Sequence, residues 1–584
     1  MTLKNHLCAS LILIALFVCN SLQAQYDKKT RTLNVAIYLT ERADNTPAVV
    51  RALNDCKRLG AKKLVFPKGT YCFRPDSLKS RMTYISNNRN YNRCFAFDLT
   101  GMSDFEIDGQ GSQFIFKGYV CPFIIERAKN ISLRNFTIDF ERTFHSEGHI
   151  TQVTKDYMDV RFTDEYPYYI DKQENLRFVD DEGVEYPWIY LLELDSAKRE
   201  IAYNAGDQWT GGVIRTTDLG NHTVRLHRQN LQGKVGNVMA FGMAFRKVPG
   251  ITIKNTKHFS LYNVTMYHAG GMGVIAQYSS DLLLDSFIVK PAPGKDRILS
   301  LAADATHFVN CSGYIKMLNC IFSNQTDDAT NIHGVYYRIE DILPDNQIMV
   351  RLVHQDQYGY DYLSSGLKLE FVNSQSLKTY AYGKVKSAYF INDRKLMVKL
   401  SNPLPESVKK GDVIAGCGEY PSVLVRNCYI GNNRARGLLL GSRNRTLIEH
   451  NTFHTSGTAI YLEGDARGWF EQAGVRNLII RNNTFDNCNY ANWGRGLIGC
   501  GAGISVDCHK DNYYNRNILI EGNTFLIHRT PLLSLYCAGG ITFVRNRILV
   551  SDKQYPSSID KTNTNALFDL KDCRNFKHDE VKIE

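Results

Sequence analysis

Short runs of alternating apolar and polar residues, each ending in an asparagine-rich turn, recur along most of this chain. They include NISLRNFTIDF from Asn130, HFSLYNVTM from His258, DLLLDSFIV from Asp281, YIKMLNCIF from Tyr314 and RTLIEHNTF from Arg445. Further copies begin at Ser422, Arg476, Arg516 and Gly540. The runs are too short for helical repeats and alternate with period two, so each reads as a pair of short strands around a turn. Neighbouring copies lie 22 or 23 residues apart: Met266 to Ile288, Ile430 to Phe453, Asn523 to Asn546. That period predicts an all-β, right-handed parallel β-helix, in which each coil stacks on the last. Asn451, Asn483, Asn523 and Asn546 share one slot, which predicts a left-handed turn residue in a stacked amide ladder.

Other segments interrupt the rhythm. Thr46 to Leu59, with Pro47 in its first turn, predicts a helix that caps the first coils. Residues 148–248 and 335–420 carry longer alternating strands without the asparagine turns, and each predicts a small inserted β-barrel. The expected order is a leader over 1–24, a cap and first coils over 25–147 and the first insert over 148–248. Coils over 249–334, the second insert over 335–420 and terminal coils over 421–584 complete it. The coils 453–485 and 485–525 are lengthened, so their loops, carrying Trp469 and Trp493, should project.

Composition narrows the functional classes. Lys4, the apolar run Leu11 to Val18 and Leu22-Gln23-Ala24 form an export leader, which places the mature protein in the periplasm, at the cell surface or outside the cell. No apolar stretch is long enough to span a bilayer. The net charge of +11 comes from lysines and arginines scattered among nearly as many acids, so no nucleic-acid partner is expected. Fifteen cysteines fall to thirteen without the leader, and this odd, irregular set argues against a full disulfide framework. Cys320 and Cys428 share a repeat position and read as core; Cys500 and Cys508-His509 match no common zinc spacing. Nothing in the sequence bears on oligomeric state.

The candidate chemistry lies mid-chain. Ala303-Asp304-Ala305-Thr306 is followed 24 positions later by Asp327-Asp328-Ala329-Thr330, which is one coil. Strands pair about 4.8 Å apart, so Asp304 should stack on Asp328 with Asp327 beside them. Crowded carboxylates split their titrations, leaving a proton donor beside acceptors, as glycoside hydrolysis requires. In a regular strand Asp327 and Asp328 would face opposite ways, so a bend or bulge is expected there. The offset of 108 residues from Phe322 to Ile430 puts Arg436 in the same column. His333, Glu463, Trp469 and Trp493 are candidate sugar contacts, the tryptophans by stacking on a sugar face. Calcium would need more oxygen ligands than three acids supply, and a structural ladder would use asparagine. No metal or cofactor is expected.

An Asp one coil before an Asp-Asp pair, with His333-Gly334 following, resembles the polygalacturonase arrangement. This chain departs from it in carrying Ala-Ala-Asp304 for Asn-Thr-Asp and in lacking an Arg-x-Lys motif. From the leader through the FPKGTY segment, both inserts and QTDDATNIHG, the whole chain is similar to the exported α-1,3-galactosidases of glycoside hydrolase family 110. That resemblance implies an inverting exo-enzyme, free of cofactors, that removes terminal α-1,3-linked galactose, including the blood-group B determinant. One branch of that family takes only fucosylated structures, another also linear ones. Its three acids fall on Asp304, Asp327 and Asp328; by analogy with polygalacturonases, Asp327 donates the proton while Asp304 and Asp328 activate water. Two other readings stay open. A hydrolase or lyase of acidic polysaccharides would need a basic cleft, and a non-catalytic glycan adhesin would be indifferent to Asp327→Asn.

Overall fold

The computed structural model describes residues 26–584, apart from 41–42, 244, 502, 505–512 and 552. The expected leader and Cys508-His509 lie outside the described residues. The coils build two long, mostly parallel sheets, one of 21 strands and one of 13, joined into a β-helix. Each copy advances the chain by one rung, by 23 residues from Met266 to Val289 where the sequence suggested 22 to Ile288, and by 32 where a coil is lengthened. Lys257–Met266 pairs in register with Ser280–Val289, and Arg445–Glu449 with Asn477–Arg481. Phe453, Phe485 and Phe525 stack on successive rungs with ring centroids 4.9 and 4.6 Å apart, forming an aromatic column in the buried interior.

The asparagine ladder is present, with one change. The main-chain N–H of Asn451 donates to the side-chain oxygen of Asn483, that of Asn483 to Asn523, and that of Asn523 to Asn546. The left-handed residue is the one before each of these: His450, Asn482, Gly522 and Arg545. Turning the chain one residue earlier frees the ladder amide to point inward. Cys428 and Cys320 continue the column: the Cys428 N–H donates to Asn451, and the Cys320 N–H to the Cys428 sulfur. Both thiols are buried and unpaired, consistent with core packing. Asn483→Ala would strip the acceptor from two Asn451 N–H groups and is expected to lower unfolding free energy by at least about 1–3 kcal/mol, measured by urea denaturation.

The helix Thr46–Leu59 carries Pro47 in its first turn and stops at Gly60, which takes the left-handed C-cap (φ 64°). Ala48, Val49, Ala52, Leu53 and Cys56 lie on one face and join the main core. No helix among the described residues is long and apolar enough to cross a membrane.

Two antiparallel units interrupt the coils. The later one, strands Tyr337–Leu343 to Val413–Gly416, closes into a six-stranded barrel. The earlier one, strands Ser146–Val153 to Val238–Gly242, is an eight-stranded sheet that remains open. Its path ends at Glu200–Ile201 and Arg215–Gly220, with no pairing between those ends among the described residues. The barrel is pinned to the coils by a buried ion pair, Arg443 Nη1 to Glu370 Oε2 at 2.7 Å.

Candidate active site

The three acids sit where the chain bends between the two sheets. Thr306–Val309 pairs with Thr330–Val335, Thr306 opposite Thr330, and Thr330 in turn lies opposite Leu438. Two residues before each of these stand Asp304, Asp328 and Arg436, which therefore form one column. The segment between Ser323 and Thr330 bends instead of continuing as a strand. Asp327 and Asp328 thus escape the alternation of a strand, and both line the same cavity as Asp304.

That cavity has a volume of about 740 Å³, ample for a small oligosaccharide end. The open sheet contributes Tyr190 and Trp209 to its wall, the barrel unit contributes His354 and Asp356, and the lengthened coils contribute Trp469 and Trp493. The Trp469 ring, 41% exposed, lies 4.1 Å from His354. The loop that carries it folds back, pairing Glu471–Gln472 against Gly334–Val335, while the Asp465 carboxylate accepts the N–H groups of Arg467 and Gly468. Trp493 reaches the open sheet, where Asn492 N–H donates to Ala205 O, and Arg434 stacks over its ring.

Arginines divide the acids electrostatically. Arg246 Nη2 lies 2.5 Å from Asp327 Oδ2, and Arg434 Nη1 lies 3.5 Å from Asp327 Oδ1. Burial alone would raise the Asp327 pKa, but Arg246, Arg434 and Arg436 outweigh it and hold it below the usual carboxylate value. Burial, reinforced by the Asp327 charge, pushes Asp304 up to about 8. Burial also lifts Asp328 to about 7 against the pull of Arg436. Asp328 nevertheless accepts three N–H groups from Arg436: the main chain and Nε on Oδ1, and Nη2 on Oδ2, each at 3.0 Å. A carboxyl surrounded by donors has no use for a proton of its own, so the shared proton settles on Asp304. Glu463, 3.6 Å from Arg436, is itself raised to about 7 by burial.

His333 does not line the cavity. The returning Glu471–Gln472 strand covers it, and its ring lies behind Asp304 against His307, with Nε2 to Nε2 at 2.8 Å. The remaining expected residues, Asp304, Asp327, Asp328, Arg436, Glu463, Trp469 and Trp493, all line it. Sequence reasoning missed Arg246, Arg434, His307 and Glu471. Arg434-Ala435-Arg436 offered a signal, since a second cation stands two residues before the arginine of the column; the others had none in the repeat.

Among the described residues, His307, His333 and Glu471 are the one group with ligating atoms within 4.8 Å of each other. Two imidazole nitrogens on one tetrahedral zinc, each at 2.0–2.1 Å, would sit about 3.4 Å apart. The separation of 2.8 Å is that of a hydrogen bond.

Three carboxyls converging on an aromatic-walled cavity, on a β-helix, are the groups that a glycoside hydrolase needs. The comparisons sharpen that class. Residues 146–239 match the family described as GLAA-B beta-barrel domain I, residues 347–414 GLAA-B beta-barrel domain II, and residues 407–549 the right-handed beta helix region. Alpha-1,3-galactosidase A of Shewanella woodyi is 35% identical over 88% of this chain and 84% of its own. Alpha-1,3-galactosidase B of Bacteroides thetaiotaomicron is 31% identical over 93% and 89%. This chain belongs to the α-1,3-galactosidase family, glycoside hydrolase family 110.

Proposed function

We propose that the protein is an exported, inverting exo-α-1,3-galactosidase that releases terminal galactose from neutral glycans such as the blood-group B antigen. Asp304, Asp327 and Asp328 are its catalytic acids, and Arg436, Glu463, Trp469 and Trp493 contact the sugar. The observation that carries this is the convergence of three carboxyls at the wall of one cavity, Asp304 and Asp328 buried and Asp327 half-buried between Arg246 and Arg434. Units inserted on both sides of the acids contribute walls, which suits a chain end better than the middle of a polymer.

An acidic polysaccharide is the weaker reading. Four arginines line the cavity, but each already faces an acid: Arg89 with Asp356, Arg246 with Asp327, Arg434 with Asp207, Arg436 with Asp328. Among the described residues that line the cavity, no arginine is left over for a uronate. Incubation with Galα1-3Gal and with polygalacturonate tests this directly. Release of galactose from the first and no cleavage of the second is expected; the reverse removes the proposal.

The roles follow the charges. Asp304 enters the cycle protonated and gives its proton to the departing oxygen; Asp327, ionised, takes one from the attacking water, and Asp328 fixes Arg436. This reverses the split implied by the polygalacturonase resemblance. An aryl α-galactoside with a good leaving group decides it, since such a substrate needs no proton donor. Asp304→Ala should keep much of its activity on that substrate and Asp327→Ala should not; the opposite pattern makes Asp327 the donor.

A further inference from the structure

Behind the catalytic acids runs a line of hydrogen bonds that ends on the main chain. Asp304 Oδ2 lies 2.6 Å from His307 Nδ1, His307 Nε2 lies 2.8 Å from His333 Nε2, and His333 Nδ1 lies 2.7 Å from the Gly334 carbonyl oxygen. All three side chains are almost completely buried. The imidazole centroids are 4.9 Å apart, so the two Nε2 atoms point at one another along nearly one line.

Donor and acceptor rules orient this line. A carbonyl oxygen can only accept, so His333 Nδ1 carries a proton. With one proton per ring, His333 Nε2 is a bare acceptor, and His307 must place its proton on Nε2 to meet it. His307 Nδ1 is then bare in turn, and its bond to Asp304 requires the proton on Asp304. The alternative moves that proton inward: the O–H bond of Asp304 breaks as N–H forms at His307 Nδ1, and the His307 Nε2 proton passes to His333. That leaves three ionised aspartates together and a buried imidazolium. Glu471 offsets part of that cost: His333 Nε2 lies 3.5 Å from its carboxylate. Against the burial that would raise it, the two histidines hold the Glu471 carboxyl below its ordinary value, although its oxygens also receive N–H from Asn87 at 2.7 Å and Asn331 at 3.3 Å. Burial likewise holds the His307 imidazole well below its ordinary pKa. Asp304 has no other side-chain hydrogen bond among the described residues, which suits an acid better than a buried carboxylate.

We propose that the Gly334 carbonyl, acting through the fixed tautomers of His333 and His307, keeps Asp304 in its acid form, making both histidines positioning residues of the reaction. This rests on Asp304 being one of the catalytic acids. The charged groups facing Asp304 are Asp327, Asp328, Arg246, Arg436 and Glu471.

The test is an infrared titration of the intact protein, following the carbonyl stretch of a protonated carboxyl that disappears in Asp304→Asn. In wild type the band should persist above pH 7. In His333→Leu, His307 Nε2–H loses its acceptor, the ring can turn its proton toward Asp304, and the midpoint should fall by at least about one pH unit, tenfold in proton affinity. His333→Gln, whose amide oxygen restores an acceptor, should recover most of that loss. The alkaline limb of kcat/KM should move with the midpoint. A midpoint unmoved in His333→Leu, a wild-type band absent at pH 6, or one equivalent of metal lost with His307→Ala would each overturn the proposal. Full activity in Asp304→Asn would instead remove the catalytic reading, while leaving the infrared result to be read by itself.

Discussion

Asp327→Asn should lower kcat/KM on Galα1-3Gal by about 10²–10⁴-fold, the range expected when a positioned proton-transfer group is lost. The neutral amide removes the charge that Arg246 and Arg434 hold in place, so substrate still binds while the water goes unactivated. Circular dichroism and melting should show a folded protein. Retained activity would mean that Asp327 takes no part in the proton transfer and would remove its role as the base. Asp304→Asn should be similarly inactive but more stable than wild type at alkaline pH. The sign follows from its raised pKa: the folded state binds this proton more tightly than the unfolded chain does. The stability it contributes is therefore full below the unfolded value of 3.8 and is lost as pH rises through about 8. Asparagine does not titrate and mimics the protonated acid toward His307. The melting-temperature gap should thus widen between about pH 4 and pH 8, by at most about 1.4 kcal/mol per unit.

Glu370→Leu should be the most damaging substitution outside the cavity, costing about 3–5 kcal/mol. Arg443, on the coils, is 9% exposed in its side chain and would lose the carboxylate that compensates it; Thr379 and Gln472 would lose an acceptor too. The barrel that presents His354 and Asp356 to the cavity is held at this point, so catalytic efficiency should fall along with stability. A double replacement, Glu370→Leu with Arg443→Met, leaves no isolated buried charge and should recover much of the loss in a urea titration. If the single variant melts like wild type, the pair does not anchor the barrel.

The repeat explains what could be read in advance. A 24-residue step carries Asp304 to Asp328 and a step of 108 carries Phe322 to Ile430, and both steps survive as strand registers. Arg436 was therefore placed from sequence alone, and so were the capping helix and the ladder. Residues outside the repeat had no register to fix them. Arg246 comes from the segment returning from the open sheet and Asp207 from within it. Nothing in the chain's periodicity says that these would meet Asp327 and Arg434. The lengthened coil at 453–485 announced a loop but not its direction, and it was the fold-back of Glu471–Gln472 that buried His333. His307, three residues after Asp304, was hidden for another reason. Its importance lies in a hydrogen-bond direction set by a main-chain carbonyl, which residue types do not reveal.

Proton NMR of galactose as it leaves Galα1-3Gal tests the catalytic account most directly. Water activated by Asp327 on the face opposite the leaving group must give β-galactose first, with the α-anomer growing in later by mutarotation. Early accumulation of α-galactose would mean a covalent glycosyl-enzyme, and the acid and base roles argued for Asp304 and Asp327 would then be wrong.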